Sequence, residues 1–359
     1  MTEARFTVQR GATKVVFGSG VAEQLSREVE MLGLARVLLL CSPRRSAETA
    51  ALEGHLAERL CGRLPLATEH VPRATVNAAL EEVDRLRADA VLAVGGGSAI
   101  GLGKALAAER DVRLLAVPTT YSGSEMTSLY GVTDGTEKRT ARDERVRPAL
   151  VLYDPLLTLS VPKDVSITSL CNAMAHCVEA MWWPHADPIA LLAAEHGLRM
   201  IAGCLPKLAA RPTDLATRHD ALQGAYLAGV ALSDTGTALQ HKLAHVLGGA
   251  FGLPHAATHA VLLPHVVRYN AEAAPDAARR IASALSVVNP ANGLLELFTR
   301  VGAPTRLSAL GFSRAYVDAA VDKLLAVGGY NPRKLERSGL RALLLAATGE
   351  PEERVVQPS

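Results

Sequence analysis

The sequence predicts two joined folds, an α/β N-terminal domain over residues 1–158 and an all-α C-terminal domain over residues 159–359. Three observations predict it. Short apolar runs alternate with amphipathic helical patterns through the first half, the signature of parallel strands joined by right-handed helical crossovers. A run of glycines stands where one of these strands meets its helix. After Val151-Leu-Tyr-Asp-Pro155 the texture changes to long Ala/Leu-rich helical patterns with almost no β-branched alternation.

Taken in order, residues 14–18 (Lys-Val-Val-Phe-Gly) supply a strand before a helix beginning around Gly20. Residues 37–41 read as a strand, 75–87 as a helix, 90–94 as a second strand, and 114–117 continue the series. The domain boundary is placed near Pro155 to Pro162, where prolines and Asp164 interrupt the pattern, with a new helix from Ser166. Trp182-Trp183 reads as core or interface packing, Met126 and Met174 as core or cleft wall, and residues 349–359 as a disordered tail.

Hydrophobic residues at 49% and charged residues at 21% are ordinary for a soluble globular protein. A net charge of +2 with scattered basic residues gives no stripe for nucleic acid. The start Met1-Thr-Glu-Ala-Arg-Phe lacks the apolar core of a signal peptide, and no later run approaches a membrane span, so a cytoplasmic location is expected. Five cysteines (Cys41, Cys61, Cys171, Cys177, Cys204) without CxxC spacing read as buried reduced thiols.

Gly95-Gly96-Gly97-Ser98 follows the strand at 90–94 and opens a helix, which makes the first domain Rossmann-like. Glycines let backbone N–H groups approach a pyrophosphate, and the helix N-terminus adds partial positive charge. The run is neither GxGxxG nor a Walker A loop, and a tight structural turn is the other reading. A second loop, Pro118-Thr119-Thr120-Tyr121-Ser122-Gly123-Ser124-Glu125, presents hydroxyls after the next strand, where ligands of parallel sheets bind. After the first strand of the series Ser42, followed by Arg44 and Arg45, stands where an NAD-specific fold carries an acid. Ser42 does not repel a 2′-phosphate, so NADH or NADPH is the expected cofactor; the arginines attract that phosphate or are simply solvated.

His241 and His245 lie four apart, on one face of a helix, and Pro254 ends that helix so that His255 turns back towards them. Asn172-Ala-Met-Ala-His176 repeats the spacing. Matched spacings in two segments point to one shared site. An amide at 172 is a poor ligand for a divalent cation, so no metal is expected.

These motifs together resemble the iron-containing alcohol dehydrogenase superfamily along nearly the whole chain, and within it the maleylacetate reductase family. The likeness rests on Gly95 to Ala105, Pro118 to Thr127, Tyr153-Asp-Pro155, Asn172 to His176, Pro254-His-Ala-Ala-Thr-His-Ala260 and Tyr330-Asn-Pro-Arg333. It implies the dehydroquinate synthase-like fold, with a nicotinamide cofactor in a cleft between the domains, and a homodimer. Asn172, His176, His241 and His255 match the superfamily's metal-ligand positions, and His245 matches a further active-site histidine. The metal-binding members carry Asp where this chain has Asn172, and often Asp where it has Gly101; the reductase family is generally regarded as metal-independent.

The resemblance also implies reduction of the enone double bond of maleylacetate, a small dicarboxylate, to 3-oxoadipate in aromatic catabolism. His245 is then the leading proton donor or oxyanion stabiliser, with His241, His176 and His255 lining the pocket and Tyr121 and Asn172 completing it. Arg139 and Arg142 are candidates for the substrate carboxylates, and Lys138 for the cofactor ribose or as one charge in a solvated run. The competing readings are a metal-dependent alcohol or aldehyde dehydrogenase, a relative with a drifted enone or ketone substrate, and a dehydroquinate-synthase-like lyase.

Overall fold

The computed structural model describes residues 6–349 apart from 12, 136 and 185, and of residues 6–10, 46–48, 137 and 138 the backbone alone. The tail expected to be disordered lies, from residue 350 on, outside the described residues. The first half runs β1 (Phe6–Arg10), β2 (Thr13–Phe17), α1 (Leu25–Met31), β3 (Val37–Leu40), α2 (Ala50–Leu56), β4 (Leu60–Leu64), α3 (Arg73–Leu86), β5 (Ala90–Gly95), α4 (Gly97–Glu109), β6 (Arg113–Pro118), β7 (Leu129–Asp134), β8 (Glu137–Arg142) and β9 (Leu150–Tyr153). The second half is α5 (Lys163–Met181), α6 (Pro188–Ala210), α7 (Leu215–Asp234), α8 (Leu239–Phe251), α9 (His255–Asn270), α10 (Pro275–Leu285), α11 (Pro290–Val301), α12 (Val317–Val327) and α13 (Arg337–Thr348).

Seven strands form one sheet in the order β1-β2-β9-β6-β5-β3-β4, parallel except for the β1–β2 hairpin. Both faces are covered, which is why these strands read as continuous apolar runs rather than alternations. Leu39, Leu92, Leu115 and Leu152 face a core shared with Leu25 and Val29 of α1 and Leu52 and Leu56 of α2. Leu38, Leu40, Ala93, Ala116 and Tyr153 face the other way, into a core continuous with the helical half. Sheet and helices therefore share one apolar interior. The β7–β8 hairpin, which the strand series did not foresee, pairs outside the main sheet.

The helical half begins at Lys163, three residues before the expected Ser166, because Pro162 takes the N-cap position with extended backbone. Arg218 of α7 is completely buried and ties the two halves together. It donates to the carbonyls of Pro212 (2.6 Å) and Val161 (2.8 Å), to Ser166 Oγ (2.7 Å) and to the Tyr121 hydroxyl (3.0 Å). α6, with 23 residues, and the stretch Pro275–Val301 are long and apolar enough by composition to span a membrane, contrary to the expectation that no run approaches that length. The second is two helices broken at 286–289. The first lies against α7 so closely that a Cβ on Gly197 would stand 3.2 Å from the Gly224 carbonyl oxygen, and its Ala190, Ala194, Leu198, Ile201 and Leu205 are fully buried.

Candidate active site

The candidate cofactor side of the site is made of backbone. Gly95 ends β5, Gly96 caps α4 and Gly97 begins it, with no side chain bonded across the cap, so the first N–H groups of α4 stay available to an anion. A Cβ on Gly96 would stand 2.6 Å from Thr120 Oγ1, so the glycine is what lets the two loops meet. Thr119 N–H donates to the Gly95 carbonyl (2.9 Å), while Thr119 Oγ1 is buried without a partner. Ser98, Thr120 and Ser124 are half-buried along the same edge, and Ser42 is half-buried at the carboxyl end of β3, where Arg45 reaches Ser160 Oγ (3.2 Å) and Arg44 is exposed. Open N–H groups, a glycine cradle and an unpartnered hydroxyl together fit the pyrophosphate of a dinucleotide.

Buried groups that the sequence reading passed over set the shape of the second loop. Lys104 of α4, fully buried, donates to the carbonyls of Ser124 (2.6 Å) and Leu129 (2.8 Å) and to Thr127 Oγ1 (2.9 Å). Burial pulls its pKa down to about 7, against the opposing pull of Glu125. Glu125 is itself buried and accepts from the Tyr153 hydroxyl (2.8 Å) and Ser122 Oγ (3.3 Å). Gly123, at φ +72°, packs on Gly229 of α7 with only 3.1 Å from its would-be Cβ to the facing Cα. This close approach brings the Ser122 carbonyl oxygen within 3.1 Å of His176 Nε2 and joins the cofactor loop to the helical half.

The other side of the cleft is made of side chains from three helices. α5 carries Asn172 and His176, α8 carries His241 and His245, and α9 carries His255 and His259. α8 stops where Gly252 takes a left-handed C-cap, and Pro254 caps α9, so His255 folds back as expected. The rings form a continuous file: His245 to His255 5.6 Å, His255 to His259 4.6 Å, His259 to His241 4.5 Å and His241 to His176 4.5 Å between centroids. His245 is exposed at one end and His255 half-buried, while His259, His241 and His176 are buried. Burial holds His176 and His241 down to about 3 and His259 well below its ordinary value, so the deep rings are neutral at pH 7.

Glu179 and His259 are members of this site that the sequence reading did not single out. Glu179 follows His176 by three residues on α5 and is buried; its carboxylate accepts from His241 Nδ1 (2.6 Å) and from the backbone N–H groups of Ala238 (2.9 Å) and Gln240 (2.8 Å). Burial raises its pKa to about 7. His259 lies four residues after His255, the same spacing that marked His241 and His245, and its Nδ1 meets Gln240 Nε2 at 3.1 Å. Asn172 Oδ1, His176 Nδ1, His241 Nε2 and His259 Nε2 are all buried without a protein partner.

Tyr121 in the pocket and the joint use of Arg139 with Arg142 are corrected. Tyr121 is fully buried with its hydroxyl bonded by Arg218, away from the histidines, because its loop turns the ring into the core shared with α5 and α7. Arg139 and Arg142 stand three apart on a regular strand, which points them to opposite faces, so they do not grip one ligand together. Arg142 reaches the Thr235 carbonyl (3.5 Å) just before α8. The Lys138 side chain lies outside the described residues. Trp182 is buried, and Trp183 packs edge-on to Tyr330 (5.4 Å) and against Gly236, the packing role expected of the pair.

Among the described residues no group of three or more His, Cys, Asp or Glu side chains is arranged to hold a metal ion. The donor set explains why: position 172 offers a neutral amide, His176 gives its Nε2 to a carbonyl, and Glu179 is turned onto α8. These residues do not fit a tightly held divalent cation. Gly101 adds to this, since a Cβ there would stand 2.9 Å from Val71 Cγ2, leaving little room for an acid.

Residues 12–155 match the family described as iron-containing alcohol dehydrogenase, and residues 166–348 its C-terminal counterpart. The maleylacetate reductase of Burkholderia cepacia is 45% identical over 94% of this chain and 96% of its own. The crystal structure of maleylacetate reductase from Rhizobium sp. strain MTP-10005 superposes with a TM-score of 0.90 at 38% identity, covering 97% of this chain and 99% of that one. The sulfoacetaldehyde reductase of Bifidobacterium kashiwanohense, solved with NAD+, shares the fold with a TM-score of 0.86 at 21% identity, covering 94% of this chain and 97% of that one. A chain alike over its whole length, with the glycine loop and the histidine file in place, belongs to the iron-containing alcohol dehydrogenase superfamily and, within it, to the maleylacetate reductase family.

Proposed function

We propose that this chain reduces the carbon–carbon double bond of maleylacetate to give 3-oxoadipate, with NADH or NADPH and without a metal. The observation that carries the reading is the file of imidazoles that are neutral at depth and exposed at His245, set against hydroxyl-lined cofactor loops. When bound, the reduced nicotinamide supplies a hydride to the carbon β to the ketone. Charge then moves onto the ketone oxygen, and the carbon between them takes a proton. His245 is the ring placed to give that proton, because it stands at the open end of the file where it exchanges with solvent. His255, stacked on His245, holds it and offers N–H to the enolate oxygen. The deeper rings present neutral walls. Arg142, at the edge of the turn leading into α8, is the cation assigned to a substrate carboxylate, in place of the Arg139–Arg142 pair. A homodimer and a cytoplasmic location belong to the same proposal, by likeness to the family.

The test is chelator-treated protein given maleylacetate and NADH or NADPH, with nicotinamide absorbance followed with and without added Fe²⁺ or Zn²⁺. Rapid oxidation without metal is expected. Activity only after metal addition replaces this reading with a metal-dependent dehydrogenase, and silence in both arms assigns the fold to another substrate.

A further inference from the structure

Glu179 is an expensive residue where it stands. Its carboxylate is 1% exposed, and a buried charge persists only when hydrogen bonds replace its hydration. If capping α8 were its whole use, a hydroxyl at the start of that helix would do the same at far lower cost; the cap residue is instead Ala238, which makes no side-chain bond. What Glu179 adds is the bond to His241. Its Oε2 accepts from both Ala238 N–H and His241 Nδ1, and its Oε1 accepts from Gln240 N–H.

Resting on the reductase reading, we propose that Glu179 is a positioning residue for catalysis: it draws the His241 proton to Nδ1 and pins the start of α8. The consequence is directional. With Nδ1–H bonded to the carboxylate, His241 Nε2 carries a lone pair and is left without a protein donor. His176 comes to the same state by another route, since its Nε2–H donates to the Ser122 carbonyl and its Nδ1 is left bare. Asn172 Oδ1, one turn before His176, also lacks a donor. The His241, His176 and Asn172 atoms accept hydrogen bonds, so this part of the site receives a hydroxyl or a water; His259, whose Nδ1 accepts from Gln240 Nε2, keeps an Nε2–H donor beside them. Proton donation falls to His245, on the same α8 whose first turn Glu179 holds. No other carboxylate among the bonds described to this cluster shares that role.

The test separates this proposal from the substrate reading. In the free protein, ¹⁵N-histidine NMR needs no substrate: the His241 signal, assigned through His241→Asn, is expected to be that of the Nδ1–H tautomer. Finding Nε2–H instead overturns the proposal whatever the enzyme reduces. Glu179→Gln keeps the shape but puts an NH₂ group opposite one set of donors. It is expected to shift the His241 tautomer and to lower kcat roughly 10- to 100-fold, the scale seen when the partner that orients a site imidazole is lost, with KM for NADH unchanged. Because the effect runs through His241, adding Glu179→Gln to His241→Asn is expected to cause little further loss. Losses that multiply, or a fall in kcat with the tautomer unchanged, make Glu179 purely structural and sink the idea. Should Glu179→Gln fail to fold, the wild-type tautomer still decides.

Discussion

The two walls of the cleft are built on opposite principles. The α/β wall uses backbone: glycines at 95–97, the open turn of α4 and a loop whose hydroxyls are placed by the buried Lys104 and Glu125. The helical wall uses side chains: imidazoles at helical spacing on α5, α8 and α9, the three deep ones each oriented by a hydrogen-bond partner. A backbone site resists the addition of atoms, because a Cβ at Gly95 or Gly96 would crowd Ala99 or Thr120. A side-chain site resists their removal, because each ring supports the next. On the proposed reading, the first holds the dinucleotide and the second decides the chemistry.

The largest expected effect tests the second principle. His245→Ala is expected to lower kcat by roughly 100- to 10,000-fold, the range for a lost general acid, with the NADH dissociation constant unchanged in a fluorescence titration. An equal loss of cofactor affinity would show that the two walls are not separable. Gly96→Ala probes the first principle from the other side. Its Cβ would stand 2.6 Å from Thr120 Oγ1, so NADH affinity is expected to weaken about tenfold, or about 1.4 kcal/mol, and to return when Thr120→Ala opens the space. Unchanged affinity in Gly96→Ala would reduce the glycine run to an ordinary turn.

The smallest effect concerns acid. His176 and His241 are held down to about 3, and His265 to about 4, against an unfolded value near 6.5. Folded pKa values below the unfolded ones mean that this stability is fully present above pH 6.5 and is lost as pH falls towards 3 to 4. Glu179, raised to about 7, acts in the opposite sense: its contribution is present below its unfolded value near 4.5 and is lost as pH rises through 7. With His259 also held down and Glu125 also raised by burial, four histidines against two carboxyls give a net fall, so the urea midpoint is expected to drop between pH 7 and pH 5. Both tryptophans, Trp182 and Trp183, lie in the helical half, so their fluorescence reads the wall predicted to loosen. A midpoint that rises over that range would mean that the deep histidines are charged in the fold.

Much of this was legible in the sequence because it is periodic. Strands buried on both faces show as apolar runs, α8 and α5 show their polar pairs at i, i+4, and the glycine loop stands where strand meets helix. The same rule would have found His259 four residues after His255, and Glu179 three after His176, had the spacing been followed to the end of each helix. The β7–β8 hairpin escaped because its alternation is masked by charge in Glu137-Lys-Arg-Thr-Ala-Arg142, and its opposite-facing arginines escaped with it.

By itself, then, the sequence determined the inner strands at 14–18, 37–41, 90–94 and 114–117, the helical texture of the second half, where the glycines relax the backbone and which faces carry imidazoles, since each depends on residues a few positions apart. Only the tertiary structure decided that Glu179 of α5 would meet His241 of α8, that the Ser122 carbonyl would take His176 Nε2, and that Tyr121 would turn to Arg218 rather than to the site. These contacts join residues separated by 62, 54 and 97 positions. Burial and the meeting of helices select them, and no local pattern encodes which buried donor will find which acceptor.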